Sequence, residues 1–367
     1  MVKSMENKNV FRPKRENWDK NIDLMYKASY SQIEKVFFCG MSWYMRYVEK
    51  YKEDFSDNLA RGSVYHSLNE ALYLEAFNTN GQSFDYDNER LVKIATDALD
   101  KAFPENYSAS GLGEIEMIQT KNDIATYIPV LVDHYKQERL LPISLKNADG
   151  EDVPAIEIAI ECPIEKYDGT LRNDFYIYVK IDLIAKNKEG KIVVLDHKTA
   201  GRAYSDMKIK TAQQLPIYAY AAGMIFKELG IPYDNMVRYD VITKTKELKI
   251  KIYEKTINAT NSVRALTYLN AGCEIINKRA LTFCNSEMSC NMCNYKDKCS
   301  ENMISFEKFN SYITENNVQD KQTETKPKSK KKQKDTKTTE IVEAVVLEQP
   351  KEKVEENKTD YFANLGF

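Results

Sequence analysis

The chain has 367 residues, of which 43% are hydrophobic, and a formal net charge of −2 at pH 7. No apolar run reaches the ~18 residues that a membrane span requires, so we expect no membrane-spanning segment. The nearly balanced charge lacks the global basic signature of many nucleic-acid-binding proteins, although it leaves room for local basic patches.

Helices are predicted through most of the first 140 residues. Residues 1–24 form a polar N-terminal arm, which we expect to be unpatterned and mobile over Met1–Trp18, ahead of one enlarged α/β domain over residues 25–312. Apolar residues at helical spacing predict the following helices. They cover Ser29–Tyr51, Ala60–Phe77, Asn88–Phe103 (ending before Pro104) and Gly113–Leu140, the last broken at Pro129.

A strand is predicted over Val153–Cys162, where isoleucines alternate with Glu157 and Glu161. Alternation of this kind is typical of an amphipathic strand. We favour a solvated strand face for the two glutamates. The alternative places one of them near a metal ion.

A hairpin follows that carries three functional candidates. The aliphatic runs Tyr178–Ala185 and Ile192–Leu195 flank a polar turn that contains a glycine. Folding the hairpin brings Asp182 opposite Leu195 or Asp196. Side chains alternate along a strand, so Asp196 and Lys198 share one face. Two carboxylates and an ammonium therefore meet at the end of an apolar hairpin.

This set suits phosphodiester hydrolysis. Paired carboxylates hold Mg²⁺ or Mn²⁺ through oxygen ligands, and the metal polarises the phosphate and activates a water. A lysine adds a point cation beside them. The alternative is a surface salt bridge between Asp196 and Lys198, because an Asp-x-Lys sequence is common by chance.

The next helix is predicted from about Gln213 to Gly230, since Pro216 is tolerated only in a first turn. Gln214 and Tyr218 are four residues apart and lie on one face of it. Their amide and phenol could bind a phosphate or a base edge beside the carboxylates. An amphipathic core helix with a polar edge is the alternative.

After a predicted hairpin over Val237–Glu254 and a helix over Ile257–Lys278, four of the seven cysteines crowd together. The spacing Cys290-x₂-Cys293-x₅-Cys299 is too tight for disulfides and is typical of zinc or an iron–sulfur cluster. With no secretory signal peptide evident, these thiols favour a reducing, cytoplasmic location. The fourth ligand is Cys284 or Cys39, and proximity alone favours Cys284. Cys162 and Cys273 are expected to be buried structural thiols.

The end of the chain changes in composition. Residues 313–358 are rich in Lys, Glu, Thr and Gln and predict a disordered charged linker with a basic block at Lys328–Lys334. Residues 359–367 restore apolar side chains, with Phe362, Leu365 and Phe367 as anchors of a partner-docking tip. Incidental hydrophobic residues on a disordered tail are the alternative.

Four of these motifs, taken together, resemble the RecB-like branch of the PD-(D/E)XK nuclease superfamily, which includes AddB-like and Cas4-like nucleases. The family order is a Gly-x₃-His helix, an Asp, a D/E-x-K strand and a Q-x₃-Y helix. This chain supplies Gly62-x₃-His66, Asp182, Asp196-His197-Lys198 and Gln214-x₃-Tyr218. One departure is Ile181, which stands where some members have proline.

The resemblance implies a restriction-endonuclease-like α/β core with a mixed central sheet flanked by helices. It also implies roles for single residues. His66, Asp182, Asp196 and the backbone carbonyl of His197 would bind Mg²⁺ or Mn²⁺, Lys198 would be catalytic, and Gln214 and Tyr218 would orient substrate. Cys39, Cys290, Cys293 and Cys299 would hold a [4Fe–4S] cluster, with structural zinc as the alternative.

The function implied by the resemblance is a metal-dependent DNA exonuclease that hydrolyses DNA ends in recombination, repair or replication. Two alternatives stay open at this point. One is a non-catalytic nucleic-acid-binding module, and the other is a replication accessory protein stapled by zinc. The presence of Asp182, Asp196 and Lys198 in one chain favours the enzyme.

Overall fold

The computed structural model describes residues 10–13, 18, 22, 24–147, 150–244, 247–284, 286–301, 308 and 311. The chain divides into a unit from Met1 to Asp320 and a unit from Lys321 to Phe367. The second unit lies outside the described residues, as do the predicted linker 313–358 and the predicted docking tip. None of the helices in the described part has the length and apolar character that a membrane span needs.

Helices occupy much of the first third of the chain and return after the central strands. In chain order they are α1 (Tyr30–Phe38), α2 (Gly40–Tyr47), α3 (Asp57–Asn78), α4 (Asn88–Tyr107), α5 (Glu114–Ala125), α6 (Tyr127–Glu138), α7 (Asp206–Thr211), α8 (Gln214–Leu229), α9 (Ala259–Asn277), α10 (Glu287–Asn291) and α11 (Lys296–Glu301). Side-chain oxygens cap many of the N-termini by accepting a first-turn backbone N–H. The oxygens of Ser29, Ser56, Asp87, Ser205 and Asn258 do so.

The strands form a mixed sheet and a small side hairpin. They are β1 (Val10–Phe11), β2 (Tyr26–Ser29), β3 (Leu141–Pro142), β4 (Ser144–Lys146), β5 (Asp152–Pro154), β6 (Ile156–Glu165), β7 (Leu171–Lys186), β8 (Ile192–Ala200), β9 (Met236–Thr243) and β10 (Lys249–Thr256). Among the described residues the main sheet has the order β1-β6-β7-β8-β9-β10, with β2 and β3 also pairing with β7. The pairs β1–β6, β2–β7 and β8–β9 are parallel, and the others are antiparallel.

Helices cover both faces of this sheet. One apolar cluster joins it to α1, α2, α8 and α9, through residues such as Ile33, Leu215 and Leu269. A second cluster joins the other face to α3, α4, α5 and α6, through residues such as Leu68 and Leu131. The predicted α/β class, with a mixed central sheet flanked by helices, is confirmed.

The predicted helix over Ser29–Tyr51 is two helices. Cys39 separates them in an extended conformation, with φ −162° and ψ 104°. Its backbone N–H still bonds the carbonyl of Lys35 at the end of α1, and its Sγ accepts from the N–H of Ser42 at 3.4 Å at the start of α2. Apolar periodicity continues through the break, so the sequence pattern could not show it.

Two predicted helix breaks also differ. Pro104 lies inside α4, which continues to Tyr107. One backbone hydrogen bond is lost there, but the last turn is held by Phe103 and Tyr107, whose rings stack at 4.4 Å. The break predicted at Pro129 falls at Thr126, and Pro129 sits in the first turn of α6, where its missing N–H would have no helical partner.

The predicted N-terminal arm contains packed segments. Val10 and Phe11 pair with β6 along an edge of the sheet. Trp18 and Ile22 are buried in a small cluster with Tyr176 of β7. Only a few apolar residues make these contacts. Because the residues around them are polar, the sequence pattern did not indicate that these segments are packed.

The solvated face predicted for the strand over Val153–Cys162 is wrong. Both faces of β6 are covered along most of its length. Glu161 is only 4% exposed and is paired with Arg12 at 2.7 Å and Lys27 at 3.4 Å. The N-terminal segments therefore supply the charges that balance it.

A buried ionic network lies under the central strands. Asp240 of β9 is fully buried and binds Arg238 at 2.5 Å and His134 of α6 at 2.7 Å. Arg238 also contacts Glu138 at 2.6 Å. Burial opposes the charge of Asp240, but His134 and Arg238 outweigh it and hold the pKa of this carboxyl well below its usual range. The network fastens α6 to β9.

We expect Asp240→Ala to be strongly destabilising, because it removes the buried acceptor that Arg238 and His134 share. Breaking a buried pair in this way costs about 3–5 kcal/mol of unfolding free energy. The matched control is Asp97→Ala, which removes an exposed i,i+4 pair with Lys93 and should cost less than about 1 kcal/mol. Urea denaturation compares the two. Similar midpoints for both variants would show that the network does not stabilise the fold.

Candidate active site

The candidate site lies where β7 and β8 separate. The two strands pair from Lys186 and Ile192 to Leu183 and Leu195, while β8 continues beside β9 as far as Ala200. Asp182 and Asp196 are therefore the first residues beyond the ladder, each adjacent to a Leu of the last pair. This confirms the predicted register of the hairpin.

Beyond the last pair of residues in β7 and β8, the side chain of Asp182 provides the hydrogen-bond acceptor that a main-chain carbonyl provides within the paired part. The carboxylate of Asp182 accepts a hydrogen bond from the backbone N–H of His197 at 2.7 Å. Main-chain carbonyls of β7 make that kind of bond in the paired part of the hairpin. The contact fixes the Asp182 carboxylate against the backbone of β8, one residue from Asp196.

Asp196 joins β8 to α8. Its Oδ2 lies 2.7 Å from Lys198 Nζ, and its Oδ1 accepts from Gln214 Nε2 at 2.9 Å. Gln214 Nε2 is also 2.9 Å from the Tyr218 hydroxyl, and Tyr239 donates to Gln214 Oε1 at 3.3 Å. Asp196 is only 1% exposed, so the pair with Lys198 is not the surface salt bridge that was the alternative.

Glu157 is a site residue that the sequence interpretation disfavoured. Ile156 pairs with Leu183 and Ile158 with Ile181, so Glu157 lies across from Asp182. Its φ of 51° falls in the left-handed region, which costs a non-glycine residue free energy and is found most often at functional sites. Pairing the predicted strand over Val153–Cys162 with the predicted hairpin would have been the way to find Glu157 beside Asp182 from the sequence.

His66 reaches the same place from α3. Its Nδ1 lies 3.4 Å from Asp182 Oδ2 and 3.5 Å from Glu157 Oε1. One ligand atom from each of these three residues falls within 4.8 Å of the others. The outer oxygen of Glu157 is 2.5 Å from Lys180 Nζ. Four secondary-structure elements (α3, β6, β7 and β8) thus deliver His66 and three carboxylates to one region.

The three carboxylates beside His66 make this region favourable for a positive charge. Burial opposes the charge of His66, but Asp182 and Glu157 outweigh it and raise the pKa of His66 to about 10. A metal ion bound to His66 would replace that proton. Burial, together with the neighbouring Asp182, raises the pKa of Asp196 even though Lys198 lies beside it. Carboxylates buried this closely disfavour each other's charge, and a bound cation would remove that penalty.

His197 presents its backbone to the site and its ring to the core. The ring stacks on Tyr73 at 5.8 Å and meets Tyr65 edge-on at 6.2 Å. Burial lowers the pKa of His197 to about 4, so the ring is neutral. Neither ring nitrogen has a hydrogen-bond partner among the described residues. Packing of this ring fixes the backbone N–H that binds Asp182.

An open cleft of about 810 Å³ lies in front of these groups. Its lining includes three lysines, Lys180, Lys198 and Lys244, together with the carboxylates. Cationic walls around an acidic floor suit a phosphodiester, whose charge the lysines attract while the carboxylates hold a metal.

The donor set fits a divalent cation. Carboxylate and carbonyl oxygens are the ligands that suit Mg²⁺ and Mn²⁺, and they outnumber the single imidazole of His66 in this set. Asp182, Glu157 and His66 are held by contacts to one another and to the backbone, so the donors are already gathered. A set dominated by oxygen does not suit a soft metal.

The cysteines meet at a separate centre. All seven are among the described residues, and none forms a disulfide. A cavity of about 280 Å³ is lined by Cys39, Cys284, Cys290, Cys293 and Cys299. The structure thus brings Cys39 to the late cysteines across some 250 residues of sequence, while Cys284 also lines the cavity. Cys162 and Cys273 are buried elsewhere in the core, as predicted.

Backbone contacts hold the two parts of this centre together. The N–H of Met41 bonds the carbonyl of Thr282 at 3.2 Å. A Cβ on Gly40 would lie 2.8 Å from the backbone nitrogen of Thr282, so only glycine permits this approach. Backbone N–H groups bond Cys39 Sγ and Cys293 Sγ at 3.4 Å each. Such bonds stabilise thiolates, so this set fits a metal or cluster held by four thiolates.

A comparison with protein families agrees with the geometry. A family model described as the PD-(D/E)XK nuclease superfamily matches residues 27–300. No curated protein matches the sequence. A solved structure titled "Crystal structure of SSO0001" is 11% identical and covers 75% of this chain and 96% of that chain, but its TM-score of 0.28 adds nothing to the assignment. Because the family model spans most of the chain, including every site residue above, this protein belongs to the PD-(D/E)XK nuclease superfamily of metal-dependent nucleases.

Proposed function

We propose that this protein is a DNA exonuclease of the RecB-like, AddB-like and Cas4-like type, acting on DNA ends in recombination, repair or replication. The observation that carries the proposal is the meeting of Asp182, Asp196 and Lys198 where β7 and β8 separate. Family membership supplies the nuclease chemistry. The cysteine centre supports this branch, because Cys39, an early cysteine, lines one cavity with Cys284, Cys290, Cys293 and Cys299.

The metal site in this proposal uses His66, Asp182, Asp196 and the backbone carbonyl of His197, with Glu157 added from the structure. A bound Mg²⁺ or Mn²⁺ would polarise the scissile phosphate and lower the pKa of an attacking water. Asp182 accepts a hydrogen bond from the backbone N–H of His197 and so fixes the backbone of β8 next to Asp196. Glu157 holds His66 and Lys180 in place from the neighbouring strand.

Three other side chains act on the substrate. Lys198 is 30% exposed and faces the cleft, where its ammonium can contact the phosphate and stabilise developing negative charge. Burial opposes its charge, but Asp196 and Asp182 outweigh it and raise the pKa of Lys198, which keeps the ammonium protonated. Gln214 and Tyr218, bonded to each other beside Asp196, orient the substrate.

We expect Asp196→Asn to lower DNA cleavage by at least about 10²-fold, because it removes a charged ligand and the partner of Lys198. The domain should stay folded, since an isosteric amide can keep the bond to Gln214 through its oxygen. Asp206→Asn, an exposed change in α7, is the control and should cleave normally. The assay is Mg²⁺-dependent release of nucleotides from end-labelled single-stranded and duplex DNA.

Cleavage by folded Asp196→Asn at the wild-type rate would contradict the assignment of the site. If neither the variant nor the wild-type protein cleaved DNA while both bound it, the non-catalytic nucleic-acid-binding alternative would replace the proposal.

The cysteine centre is proposed to hold a [4Fe–4S] cluster through Cys39, Cys290, Cys293 and Cys299, with structural zinc as the alternative. Cys39 sits at the junction of α1 and α2, whereas the three others follow α9. A cluster or metal ion bound by Cys39 and by the three late cysteines would close a very long loop of the chain. Its binding energy would then add to folding stability. Cys284 is the competing fourth ligand.

We expect Cys39→Ser to lose bound iron and acid-labile sulfide and to lower the melting temperature as much as Cys293→Ser does. The reason is that each removes one of four ligands. Cys284→Ser is the matched control and should keep both metal and stability. Metal analysis of anaerobically purified proteins checks this. Loss of the metal in Cys284→Ser alone would exclude Cys39 as the ligand, and zinc without sulfide would favour the alternative.

Two further proposals rest on sequence alone. The tip over residues 359–367 is proposed to dock a protein partner through Phe362, Leu365 and Phe367, tethered by the charged linker. The reducing chemistry of a thiolate centre supports a cytoplasmic location.

A further inference from the structure

A second cavity, of about 520 Å³, adjoins the catalytic cleft. Lys198 and Gln214 line both spaces, so the two are continuous at the catalytic lysine. The family motifs account for neither its size nor most of its lining. We call it the tyrosine cavity, because four tyrosines line it: Tyr30 of α1, Tyr204 before α7, Tyr239 of β9 and Tyr268 of α9.

Three of the four tyrosine rings are accessible to solvent and are not fully buried in the core. Tyr30, Tyr204 and Tyr268 are each partly exposed, whereas Tyr239 is buried and bonds Gln214. Tyr30 and Tyr268 lie 6.3 Å apart with their planes tilted by 33°. Phe37, which is not among the lining residues, packs against Tyr268 with ring centroids 4.5 Å apart. Partly exposed aromatic rings beside a nuclease site are suited to stacking with bases.

The lysines and the single glutamate that line the tyrosine cavity lie beside different tyrosines. Lys208 Nζ lies 3.5 Å from the ring centroid of Tyr204, and Lys198 borders the catalytic cleft. The single acidic residue among the lining residues is Glu34, whose carboxylate accepts from the Tyr30 hydroxyl at 2.8 Å. A polyanionic backbone is therefore favoured on the lysine side, whereas an uncharged base is favoured near Tyr30 and Tyr268.

We propose that the tyrosine cavity binds unpaired nucleotides of single-stranded DNA next to the scissile phosphate, with bases stacked on Tyr30 and Tyr268 and backbone phosphate held by Lys208 and Lys198. This proposal rests on the proposed DNA nuclease function, and it specifies single-stranded DNA as the substrate. A volume of this size lies within the ordinary range of small-ligand pockets, about 300–1,000 Å³.

Duplex DNA does not match this lining. Bases in a duplex are stacked on one another and paired, so their faces are not free to contact Tyr30 or Tyr268. Stacking on an aromatic ring requires an unpaired base and tolerates any sequence, because every base has a π face. A strand bound here would place its next phosphate at Lys198, within reach of the carboxylates.

The test measures binding without cleavage. Fluorescence anisotropy of labelled oligothymidine and of a blunt duplex is recorded with the full-length protein in EDTA, so that no divalent metal supports hydrolysis. Tyr268→Ala is compared with Tyr268→Phe, which keeps the ring, and with Tyr167→Ala, which removes an exposed tyrosine of the β6–β7 loop. Melting temperatures establish that each variant is folded.

Tyr268→Ala should bind oligothymidine roughly 5- to 150-fold more weakly, the range expected for loss of one base stack. Tyr268→Phe and Tyr167→Ala should bind like wild type, and duplex binding should not change. Lys208→Ala should lower the slope of log K against log salt by about 0.7 for the single strand. This second variant tests the cavity even if Tyr268→Ala fails to fold.

Unchanged oligothymidine binding by folded Tyr268→Ala, or equal losses for single strand and duplex, would overturn the proposal. So would an unchanged salt slope in Lys208→Ala. Since no step requires catalysis, a wild-type protein that binds through this cavity but does not cleave DNA would refute the nuclease proposal alone.

Discussion

Two carboxylates, Asp182 and Asp196, are buried side by side where β7 and β8 stop pairing, and the site is organised around the balance of their charge. Glu157 adds a third acid from β6. Without a cation, three such groups would repel one another in a poorly solvated place. His66, Lys180 and Lys198 offset part of this charge. A divalent metal would offset it directly, and the helices on both faces of the sheet keep the donors from moving apart.

Much of this could be predicted from the sequence, because the determining signals are local. A hairpin with a short turn fixes the register of Asp182 against Asp196, and alternation then places Asp196 and Lys198 on one face. Helical spacing likewise places Gln214 beside Tyr218. The cysteine centre was different. Local chemistry left Cys39 and Cys284 open, and the structure brings both to one cavity.

What the sequence could not show depends on long-range contacts. Glu157 faces Asp182 only because β6 and β7 pair in one register, and a lone glutamate in an alternating strand is otherwise typical of a solvated face. The break at Cys39 depends on the backbone of Thr282, some 240 residues away, packing against Gly40. The strand at Val10 exists because β6 offers it an edge. Periodicity carries no information about such partners.

The central claim is that the parted ends of β7 and β8 hold a divalent metal. Anomalous scattering from crystals of the protein grown with Mn²⁺ tests it most directly. The account predicts a manganese peak in contact with the carboxylates of Asp182 and Asp196 and near His66, and its loss in crystals of Asp182→Asn. A well-ordered site with no peak at these residues, or a peak only at the cysteine centre, would contradict it.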